Sequence, residues 1–383
     1  MLIKLLVALF IIAVATVPVL GAATWFVDDN APSDPGPGNP LVSDPAANGS
    51  SAHPFDAVQK GVNAAANGDT VIVRDGTYTG SGNRDIDFAG KRIAVRSAAG
   101  AQHCVINCGG TPAEPHRAFH FHSGESAGAV VDGFTITGGY ASGETPSDWA
   151  AASGGAILCS AASPTIVNNV FTACTASYLG GAIACIDSAA PLITDNVVSG
   201  QNSAGAGGGI CCWSRSAPTI VRNRITDNSA YVVGGGIHVD EKSAPVITNN
   251  VVAGNRVTWM NGGGIGCWGR SAATIINNTI TDNEAAGLGG GLDVIDSTVT
   301  MKNCIVWSNA AQTGANAAIE ASVATGTLTV SYSCVGGGRE GIAVGSSCVL
   351  NWGTGNLNQN PLFADPAGRD YHLKSMTGRF KPE

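Results

Sequence analysis

The sequence predicts an all-β solenoid, a chain wound into stacked coils of short parallel strands. Three observations carry this expectation. A unit restarts six times between Gly154 and Ser308, opening at Gly155-Ala156-Ile157, Gly181-Ala182-Ile183, Gly208-Gly209-Ile210, Gly235-Gly236-Ile237, Gly263-Gly264-Ile265 and Gly290-Gly291-Leu292. The steps between the apolar residues are 26, 27, 27, 28 and 27 residues, and a fixed period in the twenties marks a repeat that buries its apolar side only by stacking. Each unit holds short apolar strands with no run of helical length, separated by glycines and Asn-rich corners.

Stacking places like residues over like residues. Asn169, Asn196, Asn223, Asn250, Asn278 and Asn303 are expected to form one row, and Asn228, Asn255 and Asn283 a second. Asparagine tolerates left-handed backbone at a corner. A stacked amide can also donate to the amide of the next coil, so these residues read as a ladder rather than as sugar contacts. The glycine clusters are no phosphate cradle, because no Gly-Lys-Ser/Thr follows them and no helix begins there. Cys159, Cys185, Cys212 and Cys267 each sit two residues after the first Ile of their unit, which puts them on its inward face. Stacked neighbours lie about 4.8 Å apart at Cα, within disulfide reach, so Cys159–Cys185 or Cys185–Cys212 could bridge. Free core thiols are the favoured expectation. The total of 11 cysteines leaves at least one unpaired in a monomer, which is the oligomeric state expected here.

The flanks set the domain organisation. Met1 to Ala23 has Lys4, an apolar run from Leu5 to Val17, and small residues Gly21, Ala22 and Ala23. This reads as a secretory signal, so a bacterial protein secreted to the extracellular space or cell surface is expected. No later segment has the length to span a membrane. Residues 24–54 hold a short strand, Trp25-Phe26-Val27, and a Pro/Gly-rich loop. Residues 55–373 are the solenoid, and 374–383 a tail. Phe55, Val58, Val62 and Ala65 have helical spacing, so Phe55 to Ala66 is expected to be a helix covering the open end of the first coil. Val71-Ile72-Val73 starts the first strand. Irregular coils follow at Ile93–Val95, Cys104–Ile106, Ala118–Phe121 and Val130–Ile136. Looser ones come at Leu328–Tyr332 and Cys348–Leu350, and Asp370–Leu373 closes the packed part. A net charge of −8 gives nucleic-acid binding no electrostatic support.

The Gly-Gly-Ala/Gly-Ile openings, preceded by Asn-X-Ile-X-X-Asn as in Asn223 to Asn228, resemble the right-handed parallel β-helix repeat. They are especially similar to the repeats of polymorphic outer-membrane proteins. Gly68 to Tyr78 resembles the first coil of the pectate-lyase-like superfamily. The resemblance covers Ala57 to Leu373 and implies a right-handed single-stranded parallel β-helix of about nine to eleven coils with an N-terminal capping helix. It does not fix an activity, since the superfamily includes lyases, hydrolases and adhesins. The paired-Asp and Gly-His-Gly signatures of pectin hydrolases do not occur, nor does a calcium-lyase motif with its catalytic Arg. No autotransporter barrel is expected.

Function is therefore sought where the repeat is broken. In the strand after each glycine cluster, one row reads Ser160, Ile186, Trp213, Asp240, Trp268, Ile295. Two residues on, the row reads Ala162, Ser188, Arg215, Lys242, Arg270, Ser297, and two residues back Leu158, Ala184, Cys211, His238, Gly266, Asp293. A regular strand would show these as one outward patch, with Trp213 and Trp268 flanking Asp240, a basic column of Arg215, Lys242 and Arg270, and His238, Glu241 and Asp293 at the border. Tryptophan faces stack on sugars and cations, and Arg holds carboxylates bidentately. An acidic polysaccharide is the expected partner. The opposing expectation is a self-satisfied surface, with Arg215 and Arg270 stacked on the tryptophans and Asp240 neutralising Lys242.

Were the patch catalytic, a polysaccharide lyase would need a base, for which Lys242, Arg215 and His238 are candidates, and a cation to stabilise the enolate. Asp240 with Asp293 or Glu241 could hold Ca²⁺. A glycoside hydrolase would use two carboxylates such as Asp240 and Asp293. A non-catalytic adhesive or structural surface protein is the third alternative. A second cluster comprises His103, Cys104, Cys108, His116, His120 and His122. His120 and His122 point outward together, a weak metal candidate of no recognised zinc spacing.

Overall fold

A computed structural model describes residues 21–29, 44–143, 148–313 and 316–374. The signal-like run up to residue 20, residues 30–43 of the Pro/Gly-rich loop and residues 375–383 of the tail lie outside the described residues.

One coil shows the plan. Ile157–Ser160 is followed by Thr165–Val167, Val170–Thr172 and Thr175–Ala176. A return segment then leads to Ile183, where the next coil begins. Every strand pairs in parallel with its equivalent one coil on: Ile157 with Ile183, Thr165 with Leu192, Val170 with Val197 and Thr175 with Asn202. Among the described residues, repetition builds four parallel sheets of 12, 9, 10 and 6 strands. The longest runs from Thr24–Val27 to Val349–Trp352, and the nine-stranded one from Phe119–Phe121 to Ile342–Val344. The inward residues, such as Ile210, Cys212, Ile220 and Ile225 of a single coil, are fully buried and stack on like residues along one continuous core.

The corner between the 12- and 10-stranded sheets depends on two residues per coil. The first takes left-handed backbone: Asn168, Asp195, Arg222, Asn249, Asn277 and Asn303 have φ between 53° and 57°. The second turns its amide into the core. Asn223 donates from its backbone N and its Nδ2 to Asn250 Oδ1 at 2.8 and 3.1 Å, and Asn250 donates in the same way to Asn278 at 2.8 and 3.0 Å. Asn169 and Asn196 continue the ladder. Asn303 corrects the expected row. Thr279 pairs with Ile305, which places Cys304 over Asn278 and leaves Asn303 at the left-handed position. Cys304 Sγ then accepts the Asn278 N–H at 3.4 Å. The second row is longer than expected, since Gln201 and Asn309 extend Asn228, Asn255 and Asn283.

All 11 cysteines are free, and Cys159, Cys185, Cys212 and Cys267 lie in the core. The expected helix is shorter, Val58–Ala64. It is set against the first two coils by Gly61, where an added Cβ would come within 2.7 Å of Val71 Cγ1. Asp370–Leu373 does not close the end of the coil stack. It pairs antiparallel with Phe363–Asp365, and this hairpin lies on the outer side of the ten-stranded sheet, with Phe363 and Tyr371 against Val251, Ala253 and Ile305. Tyr371 Oη donates to Asp282 Oδ2 at 3.0 Å, and Arg369 pairs with Asp227.

Replacing Asn250 with Ala removes the acceptor of both Asn223 donors and should destabilise the protein by about 2–4 kcal/mol in urea unfolding. Asn249→Gly, at the neighbouring exposed left-handed position, should stay within about 1 kcal/mol of wild type. Equal losses at the two positions would deny the ladder its stabilising role.

Candidate functional site

The outer face of the nine-stranded sheet carries the expected rows in the expected register. Cys211 pairs with His238, His238 with Gly266, and Gly266 with Asp293. Trp213, Asp240 and Trp268 each follow the end of their strand. The face is nevertheless not open along its whole width. The return segment of each coil folds over it, and Leu179, Ala206, Val233 and Asn261 bridge one another from coil to coil. Leu179, Ala206, Cys211 and Val233 form a second small apolar cluster, closed at its edge by half-buried Trp149, Trp213, Val232 and Trp268. The expectation that His238 and Asp293 border an exposed patch is therefore corrected: both lie buried under this layer. The two tryptophans are its lids rather than free rings.

Polar groups trapped below the lids are only partly satisfied, since His238 Nδ1 and Asp293 Oδ1 have no hydrogen-bond partner. His238 lies between Trp213 and Trp268, at ring distances of 6.4 and 5.9 Å, with its Nε2 3.3 Å from Asp240 Oδ2. Trp268 Nε1 donates to Asp293 Oδ2 at 2.8 Å. Burial pushes the Asp293 carboxyl well above the usual carboxylate range, and burial raises its neighbour Glu320 as well. Asn261 Nδ2 donates to Glu320 Oε1 at 2.8 Å. A protonated Asp293 keeps two adjacent negative charges from forming beside Glu320 at a buried position.

This arrangement does not assemble the expected calcium pair. Asp240 and Asp293 are separated by the coil of Gly266, about 10 Å at two coil spacings. Asp240 is taken by His238, and Glu241 lies on an exposed left-handed turn with φ 52°. Among the described residues, no three His, Cys, Asp or Glu side chains are placed to hold a metal ion.

What remains exposed besides Glu241 is basic and aromatic. Arg215, Lys242 and Arg270 occupy the turn after the strand, all exposed, with left-handed φ of 61°, 63° and 62°. Arg215 N donates to Glu241 O at 2.9 Å and Lys242 N to Gly269 O at 3.0 Å, so the turns stack in register. Among the described residues none of the three cations forms an ion pair or sits over a ring. The self-satisfied arrangement, with Arg on Trp and Asp240 on Lys242, is thus not formed. On the other side of the lids, Tyr231 and Trp259 stack at 5.5 Å with rings 15° apart, and stand 51% and 57% exposed. Tyr178 leans on Trp213 at 6.2 Å. Sequence reasoning followed only the strand after the glycines and missed this aromatic pair, although aromatics recur shortly before the glycine cluster in three coils. It also stopped the Trp213 row at Ile295, one coil short of Glu320, which pairs with Ile295.

The histidines belong to the same face. His120 pairs in register with Leu158, and the His120 and His122 rings lie 4.2 Å apart. Cys104 and Cys108 are core residues, and His103 lies 4.0 Å from Asp75. The cluster therefore does not converge as a zinc site. His120, His122 and Arg117 instead line a cleft of about 740 Å³.

Comparison with known proteins agrees with this architecture. A family model described as "Right handed beta helix region" matches residues 208–372. One described as "Periplasmic copper-binding protein (NosD)" matches residues 147–264. No curated protein matches the sequence. Among solved structures, the complex of XylC with xylose superposes with a TM-score of 0.52 at 10% identity, covering 84% of this chain and 69% of that one. The A-module of the Azotobacter vinelandii mannuronan C-5 epimerase AlgE6 superposes with a TM-score of 0.32 at 13% identity, over 79% of this chain and 93% of that one. Residues 208–372 thus match a right-handed β-helix family model, and the described residues are wound as a parallel β-helix along the chain.

The raised Asp293 carboxyl makes a signed prediction. Its contribution to stability is complete below the unfolded-state value of about 3.9. It is lost as pH rises toward the folded value, because the unfolded chain releases a proton that the fold retains. Asp293→Asn should therefore flatten the fall in melting temperature between pH 5 and pH 8. A variant whose pH profile runs parallel to wild type would mean that the pair is ionised in the fold.

Proposed function

We propose that this is an exported protein that binds an acidic polysaccharide on the outer face of its nine-stranded sheet. One observation carries the reading: three stacked exposed cations without an ion pair, Arg215, Lys242 and Arg270, lie on one side of the tryptophan lids and the exposed Tyr231–Trp259 pair on the other. Cations that recur once per coil, about 4.8 Å apart, match a polymer that carries regularly spaced carboxylates. A guanidinium takes a carboxylate with two parallel N–H donors. Tyr231 and Trp259 offer large rigid apolar surfaces for the faces of sugar rings. The sugar held by XylC is in keeping with a β-helix that takes carbohydrate. Export is supported by the apolar segment after Lys4 and by the periplasmic description of the second matching family model. No helix of the described residues is long and apolar enough to cross a membrane. The role proposed for this face is binding, because Asp293 and His238 lie out of reach of a ligand and Asp240 is engaged.

The test is retention of polygalacturonate against a neutral polymer such as xylan, with the triple variant Arg215→Ala/Lys242→Ala/Arg270→Ala. The triple variant should bind the acidic polymer at least tenfold more weakly and with a shallower dependence on salt. Tyr231→Ala/Trp259→Ala should weaken binding and leave the salt dependence in place. Wild-type retention by the triple variant, or equal binding of acidic and neutral polymers by the native protein, would refute the reading.

A further inference from the structure

The same face ends in a built pocket. Its terminal strand, Phe119–Phe121, borders the cleft of about 740 Å³, within the size range of small-ligand sites. The two carboxylates at its edge are already engaged. His116 Nδ1 lies 2.5 Å from Asp85 Oδ2, and His122 Nε2 lies 3.5 Å from Asp87 Oδ2. Asp85 Oδ1 also accepts the Arg117 backbone N–H at 3.0 Å. The guanidinium of Arg117 is fixed by Nη2, which donates to Ala151 O at 2.6 Å, while Nη1 is buried with no partner. Burial and the neighbouring Arg117 charge push His120 down to about 4, so its ring is neutral near pH 7.

We propose that this cleft is a ligand subsite for a carboxylate-bearing sugar unit, with the carboxylate on Arg117 Nη1 and hydroxyls shared between His120 and Ser160. A buried guanidinium N–H without an acceptor is costly, and an oxyanion relieves that cost most fully. Arg117 forms no ion pair among the described residues, although the nearby Asp85 carboxylate offsets part of its charge. A neutral imidazole both donates and accepts, which suits a sugar hydroxyl. A metal ion is a poorer occupant, since among the described residues no three ligands converge. Leu158, Pro115 and Ala150 provide an apolar wall for a ring face.

The position adds direction. His122, Ser160, Ile186 and Trp213 follow one another along one row, so the cleft lies about 14 Å, three coils, from the aromatic and basic surface. The cleft would hold the terminal unit of a chain whose body lies on that surface. The choice of an acidic sugar rests on the polysaccharide reading above, whereas the location of the subsite does not.

The experiment is histidine-resolved NMR of the full chain titrated with free galacturonate, with galactose as the neutral counterpart. Galacturonate should shift the His120 and His122 signals saturably and raise the pH at which His120 titrates. Arg117→Gln should weaken this binding at least tenfold, and Arg117→Lys should restore part of it. If Arg117→Gln proves unfolded by circular dichroism, Ser160→Phe fills the cleft from its rim and should abolish the shifts. Equal response to galactose, an unchanged affinity in Arg117→Gln, or no response to either sugar would overturn the proposal. The Arg215/Lys242/Arg270 triple variant should still bind the monosaccharide. Loss of polymer retention there, with the histidine shifts intact, separates the two sites, and a protein that binds the monosaccharide but no polymer would retain the subsite and lose the extended face.

Discussion

The structure depends on keeping each coil in register with the next, and the side-chain amide ladder is what enforces that register at the corner. Backbone hydrogen bonds between parallel strands are nearly equivalent under a slip, so they specify register weakly. An Asn that must receive two donors from one neighbour and give its own Nδ2 to the next has a single solution. A coil shifted by one residue would carry a left-handed position such as Asn249 into the core and leave buried amide groups unpaired, a cost of several kcal/mol per coil. Where the ladder changes composition it changes conservatively. Cys304 keeps the acceptor role, and Ser333 receives the Cys304 N–H in turn.

Register in the core fixes register outside it, and this is what makes an outer face with regular spacing possible. It also explains why that face has two depths. A coil of 26 to 28 residues is longer than its four strands require. The surplus length folds back over the nine-stranded sheet, stacks through Leu179, Ala206 and Val233, and turns outward residues into a second buried layer. Residues beneath it must be apolar or must bring partners. Cys211 does the first, and His238 with Asp240 and Asp293 with Glu320 do the second. Only the turn beyond the strand escapes the cover, so the basic column stays free while the row beside it is sealed.

The fold was legible because its determinants repeat. The period, the inward Ile and Cys rows and the amide ladder each recur in several coils, and the strand pairing reproduces them residue for residue. Asn303 was misplaced by one position because two adjacent corner residues both favour Asn, and only the pairing of Thr279 with Ile305 tells them apart. The site was less legible because alternation reports direction and not depth. His238 and Asp293 do point away from the main core, as alternation requires. Their burial comes from a return segment whose variable polar and glycine-rich sequence carries no strand-like signal. The Tyr231–Trp259 pair hides in that same segment. Glu320 reaches Asp293 from a coil whose glycine opening is no longer recognisable.

A solenoid of this kind presents a ligand with a ruler rather than a pocket, because each coil contributes one residue per row at a fixed rise. Such a surface favours polymers over small molecules, since a single contact per coil is weak and only repetition along a matched chain accumulates affinity. It also has no intrinsic origin, and a polymer could slide by one coil at little cost. An end feature removes that freedom. The face has such a feature where its nine-stranded sheet stops, at Phe119–Phe121, with Arg117, His120 and His122 gathered around one cleft. Under the proposed reading, the exposed cations would supply attraction along the ruler, and the cleft would supply the zero from which it is read.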